Sequence, residues 1–219
     1  MLKKGFFITL EGGEGTGKTT QIRKLADALR IQTKREVIAT RSPGGTPVAE
    51  KIRDILKSRN PEEDLLPESE LLLFGVCHSQ MSENLIRPAL ERGAILISDR
   101  FLDSTLVYQG YARGLSKDFV QQINDFSCRY LKPDLTLLLD LDPELGCQRA
   151  NIRAGAQADS IQQDRFDSET MDFHRKVRNG FLELAKQEPA RFHLIDASGT
   201  ENQVHQLILE AVHEKLGIF

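Results

Sequence analysis

Five short apolar runs separated by stretches of helical period leave this chain few ways to fold. The runs are GFFITLE (5–11), EVIATR (36–41), AILISD (94–99), DLTLLLDL (134–141) and RFHLID (191–196). They are nearly continuous rather than alternating, as in strands buried on both faces. Between them, 17–34, 67–91, 116–130 and 200–216 carry apolar residues three and four apart among charged ones, the spacing of amphipathic helices. The expected fold is therefore α/β in three layers: a five-stranded parallel sheet with helices on both faces. With 219 residues there is room for one well-buried core, so a single domain over 1–219 is expected.

The first run ends at Glu11 and opens into Gly12-Gly13-Glu14-Gly15-Thr16-Gly17-Lys18-Thr19, followed by Thr20 and a helical pattern. This is GxxxxGK[ST] in its required strand-to-helix setting, the phosphate-binding loop of P-loop NTPase folds. The glycines let backbone N–H groups turn inward around phosphate oxygens, and the following helix aims its positive end at the same anion. Lys18 then supplies a point charge to the β- and γ-phosphates, and the Thr19 hydroxyl a ligand to Mg²⁺. The co-substrate implied is ATP.

The loop alone does not separate a kinase from a GTPase switch or a motor ATPase. Three other strand ends carry polar residues: Thr40 to Thr46, Asp99-Arg100-Phe101 and Asp196 to Gly199. In an open parallel sheet these ends share one edge. There Asp99 can hold Mg²⁺ through water, while Arg41 and Arg100 can clamp an acceptor phosphate through paired hydrogen bonds. No Asn-Lys-x-Asp guanine signature follows the fourth run, which disfavours a GTPase-like switch.

Charge narrows the partner. There are 29 basic and 32 acidic residues, a net −3, interleaved rather than blocked, so neither nucleic acid nor a membrane surface is expected and the partner should be small. No apolar stretch approaches the roughly 20 residues of a membrane span. The N-terminus leads straight into the first run, and the three cysteines, Cys77, Cys128 and Cys147, lack metal spacing. A cytoplasmic protein with reduced thiols is expected.

Over almost its whole length the sequence resembles the thymidylate kinases of the bacterial type. The residues 11–19 are similar to the family's P-loop, and Thr40-Arg41-Ser42-Pro43-Gly44-Gly45-Thr46 to its Thr-Arg-Glu-Pro-Gly-Gly-Thr segment. Asp99-Arg100-Phe101, Asp103-Ser104-Thr105 and Tyr108-Gln109-Gly110 resemble its aspartate–arginine motif and the segment that reads thymine. Asp134-Leu135-Thr136 and Phe173 to Arg178 match further landmarks, expected to be structural.

The resemblance implies transfer of the γ-phosphoryl group of ATP to dTMP, in dTTP biosynthesis, by a homodimer. Glu14 would reach the acceptor sugar, Phe74 would stack on thymine, Arg53 and Arg100 would contact the nucleotide, and Thr105 and Gln109 would hydrogen-bond near the base. Two positions depart from the pattern. His78 stands where the family usually carries an arginine aimed at a thymine carbonyl, which leaves it a shorter base contact and predicts broader base selectivity. Ser42 replaces the hallmark glutamate and removes a carboxylate near the metal. The runner-up is another nucleoside or nucleotide kinase.

The small, polar stretch from Arg153 to Arg165 reads as a mobile flap, giving a lid over about 149–167. The bacterial type carries its catalytic arginine there because its P-loop has none, and this P-loop has none. Arg153 and Arg165 are the candidates to stabilise charge on the transferring group, with Arg149 placed to stack on adenine.

Overall fold

The computed structural model describes residues 4–156, 165–166 and 169–218, apart from the side chains of 153–156. Its strands are β1 (Phe6–Glu11), β2 (Val37–Arg41), β3 (Ile95–Asp99), β4 (Leu135–Asp140) and β5 (Phe192–Asp196), each within one residue of the apolar run that marks it. All four pairings are parallel, in the order β2-β3-β1-β4-β5.

Helices follow in chain order. They are α1 (Lys18–Thr33), α2 (Pro47–Lys57), α3 (Pro67–Met81), α4 (Arg87–Glu91), α5 (Leu102–Thr105), α6 (Lys117–Cys128), α7 (Pro143–Ala156), α8 (Met171–Gln187) and α9 (Glu201–Leu216). Wider π turns, Ser82–Ile86 and Leu106–Ala112, join α3 to α4 and extend α5. The stretch 67–91 is thus one continuous helical run with its register widened inside it. Side-chain caps fix several starts: Thr46 accepts from the Ala49 amide, Thr170 from Phe173, and Thr200 forms a reciprocal box with Gln203.

Successive strand side chains part to opposite faces, which is why the runs are apolar throughout. Ile8 and Leu10, Ile95 and Ile97, and Leu135, Leu137 and Leu139 pack with α1 and α9. The residues between them face the other way: Phe7 and Leu96 meet Cys77 and Met81 of α3, and Leu138 meets Val177 and Phe181 of α8. Emptying one of these sites, Leu10→Ala for example, removes a wholly buried side chain and costs about 2–5 kcal/mol.

Polar groups at the sheet are paired. Asp134 accepts the Phe7 amide at 2.8 Å, and Thr136 meets Thr9 at 2.9 Å. Arg191 forks onto Asp103 at 2.6 and 2.9 Å. Asp134 and Thr136 therefore serve the sheet, as expected of them.

Strand order fixes where a ligand can enter. From β1 the chain crosses over β3 to β2, and from β3 it crosses back over β1 to β4, so the connections leave neighbouring strands in opposite directions. A crevice opens at the carboxyl ends of β1 and β3. The phosphate-binding loop leaves one strand there and Asp99-Arg100 ends the other.

Residues 157–164 and 167 of the expected lid lie outside the described residues, as does the Arg153 side chain. The described helices include none long and apolar enough to cross a membrane.

Candidate active site

Loop geometry explains the glycines. Gly12 takes φ +137° and Gly15 φ +68°, values that L side chains rarely adopt. A Cβ on Gly12 would also run into the Leu139 carbonyl of β4, and one on Gly15 into the Gly146 carbonyl of α7. Gly17 caps α1 with no side-chain bond to its first amides, which leaves those donors for an anion.

Lys18 folds back over this nest. Its Nζ donates to the carbonyls of Gly12 at 3.1 Å and Gly13 at 2.6 Å and to Thr16 Oγ1 at 3.1 Å. Burial, with the positive charge of Arg100, brings its ammonium down to about 8 despite the acids around it.

Across the crevice, Thr19 Oγ1 donates to Asp99 Oδ2 at 3.0 Å. Arg100 has φ +66°, a strained conformation for arginine, and side-chain bonds hold it there. Its Nη1 donates to the Gly12 carbonyl at 2.8 Å and Ser104 Oγ at 3.1 Å, and its Nη2 to Glu14 Oε1 at 2.8 Å. Tyr108 Oη reaches the same Glu14 oxygen at 3.2 Å. Burial raises the Glu14 carboxyl, but Arg100 and Lys18 outweigh it and hold the group at about 2.

Beneath them Glu11 accepts the Phe101 amide at 2.8 Å and Ser104 Oγ at 2.6 Å. Burial, then the negative charge of Asp103, lifts Glu11 to about 8. Glu11 thus anchors the turn that presents Arg100.

One cavity joins these groups. The loop from Glu14 to Thr20 forms one side, and Arg41, Arg53, Phe74, Asp99, Arg100 and Gln109 line it too. Arg41 is held by Glu50 at 2.8 Å, and Arg53 donates to the Pro43 carbonyl at 2.7 Å. Ser42 lines the cavity in the glutamate's place, its amide bound to the Asp99 carbonyl at 2.8 Å.

Other expected site residues lie off the lining. Gly12 sits below it, its carbonyl taken by Lys18 and Arg100, and Gly13 lines a small neighbouring pocket. His78 is wholly buried and off the lining, its ring 5.1 Å from that of Phe101. Four residues advance a helix about 40° beyond a full turn, enough to swing His78 inward while Phe74 faces the cavity. Burial drops its imidazole to about 4, outweighing the upward influence of the nearby Asn124 amide. Thr105 is likewise buried within α5.

Arg149 grips the loop after β5, donating to the carbonyls of Ala197 at 2.9 Å and Ser198 at 3.0 Å. Arg165 turns from the phosphate loop to the acceptor side, donating to the Leu56 carbonyl at 3.3 Å and pairing with Glu70. Phe166, beside it, enters the cavity wall with its ring 6.3 Å from Phe74 and 5.8 Å from Tyr108. Glu11 and Tyr108 stood in the sequence only as members of motifs, and Glu70, Arg113 and Phe166 had no role assigned from it. The one available signal was spacing: Glu70 lies one helical turn before Phe74.

A phosphate loop at the crevice of a parallel sheet, a hydroxyl–carboxylate pair beneath it and arginines across from it define an ATP-dependent phosphotransferase of the P-loop class. The family model described as thymidylate kinase matches residues 10–208. A thymidylate kinase of Syntrophotalea carbinolica is 47% identical over 200 residues, covering 91% of each chain. That of Protochlamydia amoebophila is 43% identical over 212 residues, 97% of this chain and 94% of the relative. The crystal structure of thymidylate kinase from Ehrlichia chaffeensis superposes with a TM-score of 0.74 at 32% identity, over 95% of this chain and 99% of that one. The chain belongs to the thymidylate kinase family.

Proposed function

We propose that this chain transfers the γ-phosphoryl group of ATP to the phosphate of dTMP, giving dTDP and ADP for dTTP synthesis, with the whole chain acting as one kinase domain. A single observation carries the proposal beyond family membership: the nest at Gly15–Thr20 and the groups at Arg41, Phe74 and Arg100 line one cavity. Donor and acceptor can therefore meet.

In this mechanism the loop amides cradle the ATP phosphates and Lys18 leaves the Gly12 and Gly13 carbonyls to follow the γ-phosphoryl group. Arg41, Arg53 and Arg100 orient the acceptor phosphate for in-line attack, Glu14 faces the acceptor sugar, and Phe74 stacks on the base. The attacking phosphate is already ionised at neutral pH, so no general base is required. Arg165 and Arg153 remain the lid cations proposed to stabilise the transferring charge, and Arg149 the adenine contact.

Thr19 and Asp99 suit Mg²⁺, since a hydroxyl and a carboxylate oxygen 3.0 Å apart are hard ligands beside the loop. The described residues hold no cluster of three or more His, Cys, Asp or Glu that could hold a metal ion. When bound, Mg²⁺ would neutralise charge between the phosphates. Helices α3 and α6 carry exposed apolar pairs, Leu72 with Val76 and Phe119 with Phe126, in support of a homodimer through this face. The cytoplasm, where ATP is made available, is the proposed location.

The test is an ATP-dependent transfer assay over dTMP, dUMP, dCMP, thymidine and the purine monophosphates. dTMP should give the highest kcat/KM. Hydrolysis of ATP that outruns transfer to every acceptor would overturn the proposal.

A further inference from the structure

Gln109 lines the cavity, but its amide is not free to turn. Nε2 donates to Glu70 Oε1 at 2.5 Å, and Glu70 is wholly buried. The same carboxylate accepts from Arg113, Nε at 3.4 Å and Nη2 at 3.5 Å, and pairs with Arg165. With its oxygens already accepting from two guanidiniums, this carboxylate meets the NH₂ end of the amide. Gln109 Oε1 is thereby turned away from Glu70. That oxygen is buried with no hydrogen-bond partner among the described residues. An orphaned buried acceptor in a cavity wall is costly unless a ligand brings it a donor.

We infer that Glu70 is a positioning residue that sets the sense of base recognition: by fixing the Gln109 amide it presents an acceptor to the ring, admitting a pyrimidine with an N3–H donor and rejecting one whose N3 is an acceptor. Thymine has that donor; cytosine carries a lone pair at the same place. The inference rests on the reading that the cavity takes a thymine nucleotide. A glutamine side chain left to itself presents either end, and so would discriminate poorly. Glu70, 39 residues away, removes the ambiguity. A site built around a hydrogen-bonding sense rejects the mismatched ligand far more strongly than one built on shape.

The probe pair is dTMP and 5-methyl-dCMP, which share the methyl group, sugar and phosphate and differ at the hydrogen-bonding edge. Wild-type protein should bind dTMP at least 100-fold more tightly by calorimetry. Glu70→Gln is isosteric but can donate to Gln109 and let its amide turn over, so the ratio should fall at least tenfold. Glu70→Asp keeps the acceptor-only character and should retain most of the preference, which a purely structural role would not require. An unchanged ratio in a folded Glu70→Gln protein overturns the inference. Should that variant not fold, equal binding of the two nucleotides by wild type overturns it instead. Failure of both nucleotides to bind wild type would sink the thymine reading itself, a separate result.

Discussion

Replacing Glu14 with Gln keeps the shape of the side chain and removes only its charge. Its oxygen takes Arg100 at 2.8 Å and Tyr108 at 3.2 Å, and the carboxyl stands at about 2 against an ordinary 4.5. That difference favours the ionised form in the folded protein by about 3 kcal/mol. With the side chain 20% exposed, solvent takes a share, and a measured loss of about 2 kcal/mol is expected at pH 6.

The sign with pH follows from a depressed folded value. The Glu14 contribution is complete above the unfolded value near 4.5 and is lost as pH falls towards 2. Urea unfolding at pH 6 and pH 3.5 should therefore show the gap between wild type and Glu14→Gln shrinking by about 1 kcal/mol. KM for dTMP should rise, because Arg100 loses the partner that aims it. Equal stability at pH 6, or a gap indifferent to pH, would refute the assigned pairing.

Three further outcomes are expected. Lys18→Ala should lower kcat by on the order of 10²–10³-fold or more with the fold intact by circular dichroism, since the fixed charge at the transferring group is gone. His78, held at about 4 against an ordinary 6.5, contributes stability that is full above 6.5 and lost as pH falls through 4. Between pH 7 and 4.5, wild type should therefore lose about 2–3 kcal/mol relative to His78→Leu in urea titrations, and parallel curves would count against the buried placement. Phe126 is 82% exposed on α6, and Phe126→Asp should weaken self-association at least tenfold in sedimentation without lowering the thermal midpoint. An unaltered oligomer would remove α6 from the interface.

The sheet was legible because both its faces are buried, so strands Phe6–Glu11 and Leu135–Asp140 stand out as apolar runs whatever covers them. Much of the site was legible for a different reason. Gly12 to Thr19 and Asp99-Arg100 act through backbone conformation and neighbouring side chains, which a contiguous motif encodes. The π turn at Leu106–Ala112 was not apparent, as an inserted residue leaves no periodic trace.

Partners supplied from a distance were hidden too. Glu11 meets Phe101 across 90 residues, and Glu70 meets Gln109 across 39; only the folded chain brings each pair together. The inward turn of His78 was equally invisible, because i and i+4 share a helical stripe whether or not both reach the cavity.

Arg100 grips Gly12 and Glu14 with the same guanidinium that lines the acceptor cavity. Donor cradle and acceptor clamp are therefore one mechanical part, and neither can be retuned alone. A change that shifts how the enzyme holds one nucleotide through this arginine will register in its grip on the other.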